Sequence, residues 1–261
     1  MREPIGIPAL DSNYFWLLPV GDAPECQAGD VYLVDPGDAG PVLRTLQREN
    51  LTLRGILITH HHWDHTDGLD GVLARLSVPV YGPDSVPQVD HVVKDGDRLE
   101  LPGLAVSVMA VPGHTLDHLA YFQPAANDAP PRLFCGDALF AAGCGRLFEG
   151  TPAQAQASLD KLSALPDQTR IYCAHEYTQT NLRFALSVEP DNLAVRQRLG
   201  DVDKLRARKL PTLPSELALE RTTNPYLRTE DPALLNALQL PLDTERSEVF
   251  AELRARKDRF L

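Results

Sequence analysis

The sequence predicts a mixed α/β fold closed by a helical segment, and three observations carry that reading. Up to about residue 176, short apolar or β-branched runs alternate with Gly, Pro and Asp punctuation, and only a few helical stretches intervene. Beyond Tyr177 the character changes, with Leu and Ala at helical spacing over 178–210 and again over 232–260. The chain has 261 residues, enough to bury a sizeable core in one large domain or in one domain with an appendage. The expectation is therefore two domains, residues 1–176 and residues 177–261.

In chain order the expected strands are 14–18, 31–34, 55–59, 78–81, 104–111, 120–123, 132–135 and 170–174, each a short apolar run bounded by turn residues. The expected helices of this part are 41–49, 69–76 and 152–164. The last has Thr151 as N-cap and Pro152 at its first position, where the missing N–H costs nothing. Residues 210–225 are rich in Pro and Thr and read as a connecting loop. There is no internal repeat.

Composition excludes several classes of function. The formal charge of −11 makes nucleic acid a poor partner, because phosphate binding needs a concentrated basic surface. No stretch approaches the apolar length of a membrane span, and residues 1–20 lack a basic segment followed by an apolar one. Cys26, Cys135, Cys144 and Cys173 are scattered, without CxxC pairing, so reduced thiols are expected and no Cys-rich zinc module is indicated. The expected setting is cytoplasmic, with no membrane partner and a monomer as the default.

The chemistry concentrates in Thr59-His60-His61-His62-Trp63-Asp64-His65, just after the apolar run Ile56-Leu57-Ile58. In extended chain His60, His62 and Asp64 point one way and His61 the other, while His65 opens a helix. Imidazole and carboxylate at this spacing suit zinc, iron or manganese, and the absence of thiolate favours a catalytic over a closed structural site. Three further apolar runs each deliver one ligand-type residue: 106–111 leads to His114, 132–135 to Asp137, and 170–174 to His175. One such residue alone is a turn or capping residue more often than a ligand. Seven at four strand ends, where pockets form, imply a binuclear site in which one carboxylate bridges.

The HxHxDH pattern of His60, His62, Asp64 and His65, followed by His114, Asp137 and His175, resembles the metallo-β-lactamase superfamily. Nearly the whole chain is similar to glyoxalase II, the hydroxyacylglutathione hydrolases. The matching segments are Asn13-Tyr14-Phe15-Trp16-Leu17, Pro112-Gly113-His114-Thr115, Gly143-Cys144-Gly145-Arg146-Leu147-Phe148-Glu149-Gly150, His175-Glu176-Tyr177-Thr178, Asn224-Pro225-Tyr226-Leu227-Arg228 and Arg256-Lys257-Asp258. The resemblance implies an αββα sandwich followed by a smaller all-helical C-terminal domain. It implies one metal on His60, His62 and His114, a second on Asp64, His65 and His175, and Asp137 bridging them. The ions would be two divalent metals, zinc foremost, with iron or manganese as alternatives. Glutathione would be held by Arg146, Tyr177, Arg254 and Lys257. Its two carboxylates suit a guanidinium fork and an ammonium point charge, although the basic stretch 253–261 equally suits a helix C-terminus.

On this reading a metal-activated hydroxide attacks the thioester of S-D-lactoylglutathione, Asp64 and Asp137 serve as the catalytic carboxylates, and the thiolate departs without a strong acid. Asp117 and His118 could steady the histidines, although a surface role is the commoner one, and His61 and His91 read as structural. Trp63 is expected to pack within its loop and Asp67 to cap the following helix. Phe148 stands where some relatives have Tyr, and Cys135 and Cys173 read as small core residues. Two rival functions share these residues: a mononuclear iron persulfide dioxygenase on His60, His114 and Asp137, and a non-catalytic glutathione- or metal-binding module.

Overall fold

The structure is a computed structural model that describes residues 2–21, 23–126 and 129–260. Met1 and Leu261, the outer limits of the two expected domains, lie outside the described residues. The chain falls into two compact units, residues 2–110 with 117–136, and residues 111–116 with 137–260. Compactness thus divides the chain before Asp137, whereas sequence character changes near residue 176.

In the first unit, β1 (Ile5–Ala9), β2 (Asn13–Pro19), β3 (Asp30–Val34), α1 (Ala39–Arg48), β4 (Thr52–Leu57), α2 (Trp63–Thr66), α3 (Leu69–Leu73), β5 (Val80–Gly82) and β6 (His91–Val92) follow in order. The six strands form one sheet in sequence order. It is antiparallel from β1 to β3 and parallel from β3 to β6. Strands covered on both faces read as continuous apolar runs; β2 and β3 are buried along their whole length. Asp38 caps α1 by accepting the Gly40 N–H at 2.8 Å, and Val42 and Leu46 on its inner face join Leu17, Leu33, Ile56, Leu69 and Val72 in the core.

The same unit holds a second, antiparallel run of β7 (Arg98–Leu101), β8 (Leu104–Ala110), β9 (Leu119–Gln123) and β10 (Arg132–Gly136). Burial in β8 starts from Leu104 and alternates, as a pleated strand with one covered face requires. The Tyr121 hydroxyl donates to the Ile58 carbonyl at 2.6 Å and Leu119 N–H to the Thr59 carbonyl at 2.8 Å, fixing this sheet to the chain leaving β4.

The second unit begins with the hairpin of β11 (Leu139–Phe140) and β12 (Gly143–Cys144), turned at Ala142 with φ 57°. It continues with α4 (Pro152–Ser163), β13 (Arg170–Cys173), α5 (Thr178–Val188), α6 (Leu193–Ala207), β14 (Ser215–Glu216), α7 (Leu217–Thr223), a 3-10 turn at Pro225–Leu227, α8 (Pro232–Leu238) and α9 (Arg246–Asp258). β13 and β14 pair antiparallel. Thr151 and Gln154 make a reciprocal capping box at α4. Among the described residues, no helix is long and apolar enough to cross a membrane.

The expected connecting loop at 210–225 is corrected, since it contains β14 and α7. What holds α7 is a buried polar hub: Glu220, fully buried, pairs with Arg198 of α6 at 2.6 Å and accepts the Ala142 N–H at 2.7 Å. No local apolar period announces a seven-residue helix anchored in this way. The segments of β1 and β7, and the two-residue strands, were also not anticipated. β1 carries Pro8, which an edge strand tolerates.

Candidate metal centre and substrate cations

In the first unit, β3 and β4 run parallel with Val34 beside Leu57, so Asp35 and Thr59 leave the sheet as neighbours. Asp35 is buried and sits at φ 53°, a left-handed conformation uncommon outside glycine. Its Oδ1 accepts the Thr59 N–H at 2.7 Å, while Oδ2 accepts the Thr59 hydroxyl at 2.7 Å and the Nδ1–H of His65 at 3.0 Å. Thr59 has given its one proton to Asp35, so at 3.0 Å its oxygen accepts from Nδ1 of His60. Both imidazoles are thereby protonated on Nδ1, which makes Nε2 the nitrogen each offers to a metal.

The ring of His60 lies 4.7 Å from that of His62 and 4.1 Å from that of His65. Donor atoms of His60 with His62, of His60 with His65, and of Asp64 with His65 come within 4.8 Å of one another. α2 takes over at Trp63, so Asp64 projects from a helical turn rather than from extended chain. Its Oδ2 accepts from Asn13 Nδ2 at 3.0 Å and faces His65 Nε2 at 3.6 Å. Gly37 is obligatory here, since a Cβ would stand 1.9 Å from the Asp64 carbonyl oxygen.

In the second unit, Asp137 Oδ2 lies 3.4 Å from Nε2 of His114, and Oδ1 lies 3.4 Å from Nε2 of His175. Each carboxylate oxygen therefore addresses a different imidazole. His114 Nδ1–H donates to the Arg146 carbonyl at 2.7 Å, again selecting Nε2 as the outward nitrogen. The strap from 145 to 150 stays close because Phe148 N–H donates to the His114 carbonyl at 3.1 Å and Gly150 N–H to that of Gly113 at 3.0 Å. A Cβ at Gly145 would approach the Asp137 carbonyl oxygen to 2.1 Å and His114 Nδ1 to 2.9 Å. The His175 ring stacks flat on Tyr177, with centroids 4.7 Å apart, and Phe140 meets both edge-on.

The expected substrate residues also lie in the second unit. Arg146 is mostly exposed and its Nε stands 3.3 Å from Asp258. Arg254 is only 9% exposed. Its Nη1 donates to the Cys144 carbonyl at 3.0 Å, and its Nε and Nη2 donate to Asp258 at 3.1 and 2.9 Å. Lys257 Nζ donates to the Thr180 carbonyl at 3.4 Å and lies 5.2 Å from the Phe184 ring centre and 5.4 Å from that of Phe260. Burial, and then the neighbouring charge of Arg254, push the Lys257 ammonium down to about 8.

Three expectations are corrected. Trp63 is 62% exposed and does not pack within its loop, because α2 turns it outward. Asp67 is exposed and α3 has no side-chain cap, Gly68 being its N-cap residue. His118 is fully buried, not on the surface, and stacks on His60 at 4.5 Å. Asp117 bonds His61 Nδ1 at 3.0 Å. Cys135 and Cys173 are buried core residues, and burial pushes the Cys173 thiol up to about 12. The reading of the sequence missed Asp35, whose only local signal is an Asp-Pro-Gly turn after an apolar strand.

Comparison with known proteins places these features in a family. The metallo-beta-lactamase superfamily matches residues 26–85 and 81–175, and the hydroxyacylglutathione hydrolase C-terminus matches residues 176–260. A hydroxyacylglutathione hydrolase of Chromohalobacter salexigens is 51% identical over all of both chains. Those of Hahella chejuensis and Pseudomonas aeruginosa PAO1 are each 49% identical, covering 100% of both chains in the first case and 97% and 98% in the second. Among solved structures, ETHE1 from Myxococcus xanthus superposes with a TM-score of 0.64 at 24% identity, covering all of both chains. The BLEG-1 B3 metallo-beta-lactamase gives 0.63 at 22% identity, over 87% of this chain and 99% of its own. Those two likenesses show a metallo-β-lactamase fold and nothing narrower. With the fold, the His and Asp donors and whole-length identity near one half all in agreement, the chain belongs to the hydroxyacylglutathione hydrolases of the metallo-β-lactamase superfamily.

Proposed function

We propose that this chain hydrolyses S-(2-hydroxyacyl)glutathione thioesters, S-D-lactoylglutathione among them, to glutathione and the hydroxy acid. The observation that carries the reading is identity of about half over the full length of hydroxyacylglutathione hydrolases, including the segment 176–260. Neither the persulfide dioxygenase nor the non-catalytic module is favoured by any comparison at that level.

The donor set fits divalent metal ions. Imidazoles whose Nδ1 is held by Thr59, Asp35 or a carbonyl offer Nε2 as metal-binding histidines do, and carboxylates accompany them. We assign His60, His62 and His114 to one ion, Asp64, His65 and His175 to the other, and Asp137 to both, with zinc the first choice. When bound, such ions bring the pKa of a shared water down to about 7 and polarise a carbonyl oxygen.

The residues of the chain supply orientation. Asn13 fixes the Asp64 carboxylate, Asp35 fixes the rings of His60 and His65, and Asp137 turns one oxygen to each of its histidines. Arg146, Tyr177, Arg254 and Lys257 are assigned to the glutathione moiety. Its thiolate leaves readily, since a thiol has a pKa of about 8.5, and no general acid is needed. We further take residues 1–176 as the catalytic domain, residues 177–261 as contributing to glutathione binding, and the protein as a cytoplasmic monomer, in keeping with its scattered cysteines.

The test is loss of thioester absorbance when metal-quantified protein meets S-D-lactoylglutathione, with His60→Ala prepared in parallel. Turnover at about two metals per chain, abolished in the variant, is the expected result. Absence of turnover by loaded protein would sink the reading.

A further inference from the structure

Asp258 closes the basic segment of α9 yet takes no part in the function described so far. It is the last residue of that helix, where the helix dipole disfavours a carboxylate and favours the neighbouring Arg256 and Lys257. Its place opposes local electrostatics, so another interaction must hold it there. That interaction is visible: one oxygen, Oδ1, receives Arg146 Nε at 3.3 Å, Arg254 Nε at 3.1 Å and Arg254 Nη2 at 2.9 Å. Two guanidinium groups, one from the strap after β12 and one from α9, thus converge on a single anion. Without it they would repel one another.

The two arginines are not equivalent. Arg254 is buried, with Nη1 on the Cys144 carbonyl and the Nε–Nη2 edge on Asp258, so it serves as a strut. Arg146 is 55% exposed and is anchored by Nε, which leaves its Nη1–Nη2 edge as the one that can fork onto a carboxylate. We propose that Asp258 is a positioning residue, which with Arg254 behind it aims the terminal edge of Arg146 at a carboxylate of the glutathione thioester. This rests on the reading of Arg146 as a substrate contact. Pre-orienting a guanidinium removes the cost of ordering it on binding, so the benefit falls on substrate affinity and not on the chemical step.

The experiment compares wild type with Asp258→Asn, both metal-loaded and full length. Metal content and Tm report folding. The substrates are S-D-lactoylglutathione and the lactoyl thioester of N-acetylcysteamine, which carries no carboxylate. The expected result is a KM for the glutathione thioester raised about tenfold, kcat within about twofold, and unchanged kcat/KM for the carboxylate-free thioester. Asp258→Glu, which keeps the charge, restores part of the loss. An unchanged or lowered KM overturns the proposal, the lowered value meaning that Asp258 competes with substrate for Arg146. Equal losses on both thioesters overturn it too, as general damage. Should the Asn variant fail to fold, Asp258→Ser, which removes the same anchoring carboxylate, takes its place, and the same selective rise in KM is expected. If wild type itself does not prefer the glutathione thioester, carboxylate recognition fails and the positioning role with it. If wild type prefers it and the variants do so equally, only the positioning role fails.

Discussion

The Asp35 carboxylate receives the Thr59 N–H, the Thr59 hydroxyl and the His65 imidazole, and through Thr59 it also sets His60. Outer partners of this kind typically change metal affinity by about 10–100-fold. Asp35→Ala is therefore expected to lose metal in that range, read as metal content after dialysis against graded chelator, with far-UV circular dichroism retained. Full occupancy in the variant would contradict it. A second residue-scale prediction concerns pH. The ammonium of Lys257 titrates near 8, so it is charged below that pH and neutral above it. If it holds a substrate carboxylate, KM is lowest below about pH 8 and rises beyond it, whereas Lys257→Arg, charged throughout, keeps KM flat. The histidines, Asp64 and Asp137 were legible in sequence because ligand-type residues crowd around strand ends. Asp35 was not, because its role depends on parallel pairing of β3 with β4 and on a backbone conformation that sequence does not advertise.

At the scale of elements, α9 bears the candidate cations and is seated on α4. Val249, Phe250 and Leu253 form its buried face, and Arg246 forks onto Asp160. α4 in turn reaches the loop before His114, since the Ser158 hydroxyl donates to the Pro112 carbonyl at 2.7 Å. The candidate cations and the candidate ligand His114 of the second unit therefore belong to one packed block. α7 belongs to it by charge: Glu220 meets Arg198 and takes N–H bonds from Ala142 and Asn224. Breaking a buried pair leaves an uncompensated charge, so Glu220→Ala is expected to cost roughly 3–5 kcal/mol in denaturant unfolding. A loss under about 1 kcal/mol would show the pair to be solvated. The long helices α5 and α6 were legible from their spacing, and α4 from Thr151 as N-cap and Pro152 at its first position. Helix α7 was hidden because its anchor lies more than twenty residues away, in α6.

For the molecule as a whole, net charge and substrate charge oppose one another: a chain of −11 is to bind an anion. At physiological ionic strength the field of distant carboxylates is screened within about 8 Å, so if Arg146 and Lys257 hold the substrate as proposed, they decide what it meets locally. Metal is the other whole-molecule variable. Ions that bind only the folded chain stabilise it by mass action, so chelation is expected to lower Tm and abolish thioester turnover together, and re-addition of zinc to restore both; unchanged Tm with lost activity would refute that coupling. The mixed α/β class and the change of character after Tyr177 were plain from patterning. The compact division before Asp137 was not, because it follows contacts remote in sequence. Asp35 carries one more consequence. Through Thr59 it reaches a ligand assigned to one ion, and directly it holds a ligand assigned to the other, so the two ions share a single outer anchor. A weakened anchor would then lower the affinity of both positions together rather than of one alone.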